Sequence, residues 1–318
     1  MKTSTAIDAL KSTTRPWLTD GGFETTMLFI EGFDLPSFAA IVLMDNAQAR
    51  LKMTAYFDRF LTMAADAGTG FVLDTNTWRG APHWGAELGR SEADMLRLNR
   101  DAVAFAAQTR DRWAARVPNI AINGCIGPAG DGYAPDTMLT PEAAQLIHAP
   151  QINQLAKAGA DFIGALTITH TGEGIGIVRA AQAAGMPVVI SYTVETDGRL
   201  PSGETLAEAI ERTDDETGNA PIYYMINCAH PDHFRDSLTK GEGWVNRIGG
   251  LRANASRLSH AELDVCEELD DGNPTEFGDL HAELATMLPN LRVIGGCCGS
   301  DARHVGCVSH HLHKRQAA

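Results

Sequence analysis

Eight short apolar runs, each followed by a longer polar or helix-spaced stretch, constrain this chain more than any other feature. They fall at 17–20, 71–76, 121–126, 162–169, 187–192, 222–227, 248–254 and 292–296. Val, Ile, Leu and Phe dominate them without the polar alternation of a half-solvated sheet. That is the pattern of strands covered on both faces. Helical spacing runs through 46–67, 92–116, 141–158, 204–211, 232–238 and 277–288. Thr140, Pro141 and Glu142 read as an N-cap, a first-turn proline and an acidic first turn. Only 257–279 resists the pattern, being acidic and broken by Asp270, Asp271, Gly272, Asn273 and Pro274.

Eight strands alternating with helices predict an α/β protein of the (β/α)₈ TIM-barrel class. The alternative is an open doubly wound sheet, but no GxGxxG follows the first run to support a dinucleotide-binding form of it. The length of 318 residues suits one barrel domain, 1–318, with a core at about 15–305. The net charge of −14 argues against nucleic acid and against docking on anionic membranes. No run of 18 apolar residues stands out, and the N-terminal segment lacks a signal-type apolar region, so a cytoplasmic location is expected. Nothing in the sequence sets an oligomeric state.

Barrel active sites form where strands end and βα loops begin. Here the strand ends read Asp20-Gly21-Gly22, Asp74-Thr75-Asn76-Thr77-Trp78-Arg79, Asn227-Cys228 and Gly295-Gly296-Cys297-Cys298-Gly299. Strands six and eight are one strand apart around a barrel, so Cys228, Cys297 and Cys298 can converge. Three thiolates suit zinc, and three protein ligands leave a fourth position open, as catalytic sites do. A disulfide between neighbouring cysteines would be strained, which favours ligation for the pair. His230 remains an alternative ligand. Cys125, Cys266 and Cys307 lack such context and read as structural. His310, His311 and His313 read as part of a solvated polar tail.

The elements DGGFETTM, DTNTWRG, NGCIGPAGDGY, SYTVETDGRLPSGETL, NCAHP and GGCCGS, in this order, resemble the homocysteine S-methyltransferase family over roughly residues 15–305. The resemblance implies a barrel holding one zinc ion through Cys228, Cys297 and Cys298. It implies that Asp20, beside Gly21, helps hold the amino-acid acceptor, and that Asn76, Trp78 and Arg79 line the same pocket. Asn227 precedes the first ligand and is expected in or behind the pocket wall. The implied chemistry is methyl transfer from a sulfonium (S-methylmethionine or S-adenosylmethionine) or a betaine to a zinc-bound thiolate, giving methionine from homocysteine. No protein general base is demanded once metal has replaced the thiol proton. The partners are then a small thiol acceptor and a small methyl donor.

Two departures stand out. Leu166 occupies the place of a strand-four glutamate that reads the acceptor's amino group in the family, and Glu173, further into the following loop, is the candidate substitute. The seventh run carries Arg252-Ala253-Asn254 in place of a Tyr-Pro-Asn pattern. These leave open a different thiol or selenol acceptor. A non-catalytic zinc-binding protein is the third reading, but it lacks a fourth cysteine near the cluster.

Overall fold

Each apolar run becomes a parallel strand because both faces are covered, one by helices and one by the barrel interior. The computed structural model describes residues 5–133, 137–238 and 242–313. Its strands are β1 (Trp17–Leu18), β2 (Phe71–Asp74), β3 (Ile120–Ile126), β4 (Phe162–Ile168), β5 (Val188–Tyr192), β6 (Tyr224–Asn227), β7 (Ile248–Ala253) and β8 (Val293–Gly296). They pair in sequence order, all parallel, and β8 closes onto β1. The predicted (β/α)₈ barrel is therefore the observed fold. Every strand residue is buried.

The interior changes character along the strands. Val72, Ala121, Phe162, Val189, Met225 and Val293 share one apolar cluster with Trp17. Residues two apart in a strand face the same side, about 6.6 Å further along. The next interior layer is therefore Asp74, Asn123, Gly164, Ser191, Asn227 and Gly295. Gly164 makes room there, since a Cβ on it would lie 2.5 Å from the Asn123 amide. The apolar end is plugged by a helix, Thr5–Ser12, whose Ile7 and Leu10 are fully buried in that cluster.

The expected helix caps form. Thr140 accepts a hydrogen bond from the Ala143 amide, and the helix Pro141–Ala158 ends at Gly159 with φ 101°. Three stretches behave otherwise than the sequence suggests. The segment after β4 is a helix, Thr171–Ala183, not a loop. Its glycines hide the helical pattern but permit close packing: a Cβ on Gly176 would lie 2.4 Å from the Ala144 Cβ. Asn273-Pro274, read above as a break, is the N-cap and first turn of the helix Pro274–Met287. The C-terminal histidines belong to a helix, Ala302–His313, rather than to a solvated tail. His313 is buried with its Nε2 2.7 Å from the Pro16 carbonyl oxygen, while His310 and His311 are exposed. Among the described residues no helix is long and apolar enough to cross a membrane.

Candidate active site

Where β6 ends, the chain turns at Cys228, which adopts φ 55° in the left-handed region. A non-glycine residue holds that conformation only when its surroundings enforce it. Here the Cys228 carbonyl accepts from Asn254 Nδ2 at 3.1 Å and lies 2.7 Å from His260 Nε2. The turn after β8 is fixed from its neighbours as well. The Cys297 amide donates to Ala253 O (2.8 Å), and Cys298 O accepts from the Ala255 amide (3.1 Å). Gly21 and Gly22 serve this turn. A Cβ on either would lie 2.6 Å from a backbone oxygen, of Ser300 or Cys297 respectively. The Asp-Gly-Gly element thus exists so that β1 can end hard against the cysteine turn.

The three Sγ atoms of Cys228, Cys297 and Cys298 lie within 4.8 Å of one another. A tetrahedral zinc thiolate site, with Zn–S near 2.3 Å, separates its sulfurs by about 3.8 Å. The arrangement fits such an ion with a small closure. Among the described residues this is the only such group of metal-ligating side chains. Hydrogen bonds from Cys228 and Cys298 hold the Cys297 thiol well below its usual range, and the other two are raised in exchange. Three sulfurs gathered in this way are a donor set suited to a soft cation. His230 is not in it; its Nδ1 accepts from the Asp232 amide at 3.2 Å. Of the other cysteines, Cys125 and Cys266 line the cavity apart from the group, and Cys307 packs against Gly278.

Polar groups brace the sulfurs. Asn227 Oδ1 accepts from the Thr167 amide (2.8 Å) and from Ser191 Oγ (2.6 Å), and its Nδ2 donates to Thr167 Oγ1 (2.9 Å). Thr167 has φ 64° at a register shift in β4 and places its hydroxyl 3.6 Å from Cys228 Sγ. The Tyr133 hydroxyl lies 3.7 Å from Cys298 Sγ, and its ring stacks on His260 at 4.0 Å. His260 in turn sits 2.8 Å from Glu195.

Beside the sulfurs is an ionic cluster that motif reading did not foresee. Arg252 Nη2 donates to Asp20 Oδ1 at 2.5 Å, and Arg252 Nη1 donates to Asp74 Oδ2. Its Nε donates to Gly296 O at 3.0 Å. Asp20 Oδ2 accepts from Tyr56 (3.1 Å), and Asp74 Oδ1 accepts from Asn123 (2.8 Å). All three charged groups are buried. Burial opposes the Arg252 charge, but the two aspartates outweigh it and raise its pKa. Burial pushes the Asp20 carboxyl up to about 6, with Arg252 pulling the other way. The only warning in the sequence is a lone arginine inside the otherwise apolar seventh run.

These groups line a cavity of about 390 Å³, within the range of small-molecule sites. Asp20, Gly21, Asn76, Trp78, Arg79, Asn227 and all three cysteines are brought together on its wall, as is Leu166. Asn76 Nδ2 is spent on Ala40 O at 2.9 Å. Trp78 Nε1 donates to Leu166 O at 3.1 Å, and Arg79 lies over the rings of Trp78 and Trp84. Glu173 is a correction. It is 2% exposed behind the wall, accepts from the Ala129 amide (2.7 Å) and lies 2.9 Å from His148 Nε2, so it does not line the cavity. Glu24 does line it and was missed, although the sequence shows it as an acidic residue between Phe23 and Thr25 with no basic neighbour.

The sequence profile of the homocysteine S-methyltransferase family matches residues 17–312. The homocysteine S-methyltransferase of Escherichia coli K12 is 25% identical over 242 residues, covering 70% of this chain and 74% of that one. The oxidized crystal structure of the homocysteine methyltransferase MmuM from Escherichia coli superposes with TM-score 0.72 at 21% identity, over 96% of this chain and 99% of the other. Its metallated form gives 0.70 at 20% identity, with the same coverage. With 296 of its residues under one family profile, a closed barrel and a cysteine group at the rim, this chain belongs to the homocysteine S-methyltransferase family and is a thiol S-methyltransferase.

Proposed function

We propose that this enzyme moves a methyl group from a small sulfonium donor, S-methylmethionine or S-adenosylmethionine, or from a betaine, to the thiolate of homocysteine. Cys228, Cys297 and Cys298 would hold a zinc ion, and one barrel domain would carry the whole activity. The observation that carries the reading is the convergence of three sulfurs within 4.8 Å at the wall of a small cavity. Zinc bound there supplies the Lewis acidity that keeps an acceptor thiol deprotonated near neutral pH.

The chain's own residues then have three tasks. Asn227, Thr167 and Asn254 fix the strand-six turn, so that the sulfurs are held in place before substrate arrives. Trp78, Tyr133, Phe23 and Leu166 give the cavity apolar walls that exclude water from the nucleophile. The pocket must also hold donor carbon and acceptor sulfur in line, at near-attack distance.

The test is turnover. Purified protein is incubated with homocysteine and each donor in turn, and methionine is quantified chromatographically. Methionine from at least one donor supports the reading. No methionine from any donor, while another thiol or a selenol is methylated, supports the second reading. The occupation of Asp20 by Arg252 is the observation that favours that alternative.

A further inference from the structure

We propose that Glu24 is the residue that reads the cationic amino group of the acceptor, because Arg252 has withdrawn Asp20 from that task. The inference rests on the thiol-acceptor reading above and names the specificity element of the same pocket.

An ammonium buried beside the sulfurs needs a carboxylate partner, or its desolvation is uncompensated. Asp20 is committed. Arg252 and Thr19 occupy Oδ1, and Tyr56 occupies Oδ2. Asp74 is committed to Arg252 and Asn123. Taking either from Arg252 would remove one of the two carboxylates that compensate a buried guanidinium. Leu166 offers no side-chain acceptor, and Glu173 lies behind the wall. The remaining lining carboxylates, Asp131, Asp264, Glu268 and Asp270, are exposed to solvent.

Glu24 alone is different. It is partly buried, lines the cavity, and forms no ion pair among the described residues. It lies close enough to Cys297, Asp20 and Arg252 to feel their charges. It stands four residues after Asp20, in the turn that packs against the cysteines. Burial is the main cause that pushes its carboxyl up to about 8. A carboxyl short of positive charge gains most from a cation delivered by substrate. An amino acid whose thiol reaches the sulfur group brings its ammonium only a few bonds away.

The test compares homocysteine with 4-mercaptobutanoate, the same thiol lacking the amino group. Calorimetric affinities are measured on the parent, Glu24→Gln and Glu24→Ala, with metal content and unfolding midpoint as controls. The parent should prefer homocysteine. Glu24→Gln should weaken homocysteine about tenfold to a hundredfold and leave 4-mercaptobutanoate within about twofold, since a charge-assisted hydrogen bond is lost in one case only. Glu24→Ala should show the same split. Equal loss for both thiols would mean a merely structural role and overturn the proposal. Weakened donor affinity with unchanged homocysteine affinity would assign Glu24 to the donor's cation and also overturn it. A parent that binds both thiols alike sinks the proposal while leaving thiol transfer standing. A parent that binds neither sinks the thiol-acceptor reading, and the proposal with it.

Discussion

At one end of the barrel Val72, Ala121, Phe162 and Val293 pack with Ile7 and Leu10 of the first helix. One step along the same strands, Asp74, Asn123 and Gly295 face the rim where Arg252 and the three sulfurs collect. The apolar end is held by burial, which is non-directional and tolerates apolar side chains of similar volume best. The rim is held by pairs: Arg252 with Asp20 and Asp74, Asn227 with Thr167, and Asn254 with the Cys228 carbonyl. Losing one member of a buried pair leaves the other desolvated and unmatched. The same polypeptide thus places an end held by non-directional burial about one strand step from an end held by directional pairs.

Breaking the rim should cost most. Arg252→Met leaves two buried carboxylates facing each other and should lower stability by about 3–5 kcal/mol in denaturant unfolding. Adding Asp74→Asn to that variant should recover part of the loss. An Arg252→Met protein that unfolds at the parent's midpoint would show that the ionic cluster holds nothing.

Breaking the apolar end should cost somewhat less and leave chemistry alone. Leu10→Ala should lower stability by about 2–3 kcal/mol through a cavity in the plug. Its metal content and thiol affinity should match the parent. If metal were lost as well, the two ends would not be separable.

The barrel wall should respond least. In Gly176→Ala the added methyl meets Ala144 Cβ and the Pro141 carbonyl, at 2.4 and 2.6 Å before relaxation. Overpacking of this kind costs about 1–2 kcal/mol, read as a lower midpoint at unchanged turnover. A rise in stability would show that the helices have room to separate and that helix propensity outweighs contact.

Legibility in the sequence follows the same division. The strands could be read because parallel strands buried on both faces are runs of apolar residues, and their ends could be read because polar residues collect there. The cysteine turn was legible because two thiols among glycines have little else to do. Thr171–Ala183 was not, since Gly172, Gly174 and Gly176 make room for the Leu139 carbonyl, the Tyr192 hydroxyl and Ala144, partners that the local sequence does not contain. Glu173, read as a pocket residue from its place in the chain, faces His148 instead, because the segment is helical. The role of Arg252 was hidden for a related reason: its partners lie 232 and 178 residues away. Pairing over such distances leaves no local pattern.

The most direct test of the account is the metal content of the protein purified without chelators, for the parent and for four single cysteine-to-serine variants. The parent should carry about one zinc per chain. Cys297→Ser and Cys298→Ser should lose most of it, because two thiolates bind far more weakly than three. Cys266→Ser and Cys307→Ser should retain it. A metal-free parent, or zinc lost from the Cys266 or Cys307 variant and kept in the other two, would contradict the assignment of Cys228, Cys297 and Cys298 as the centre of this site.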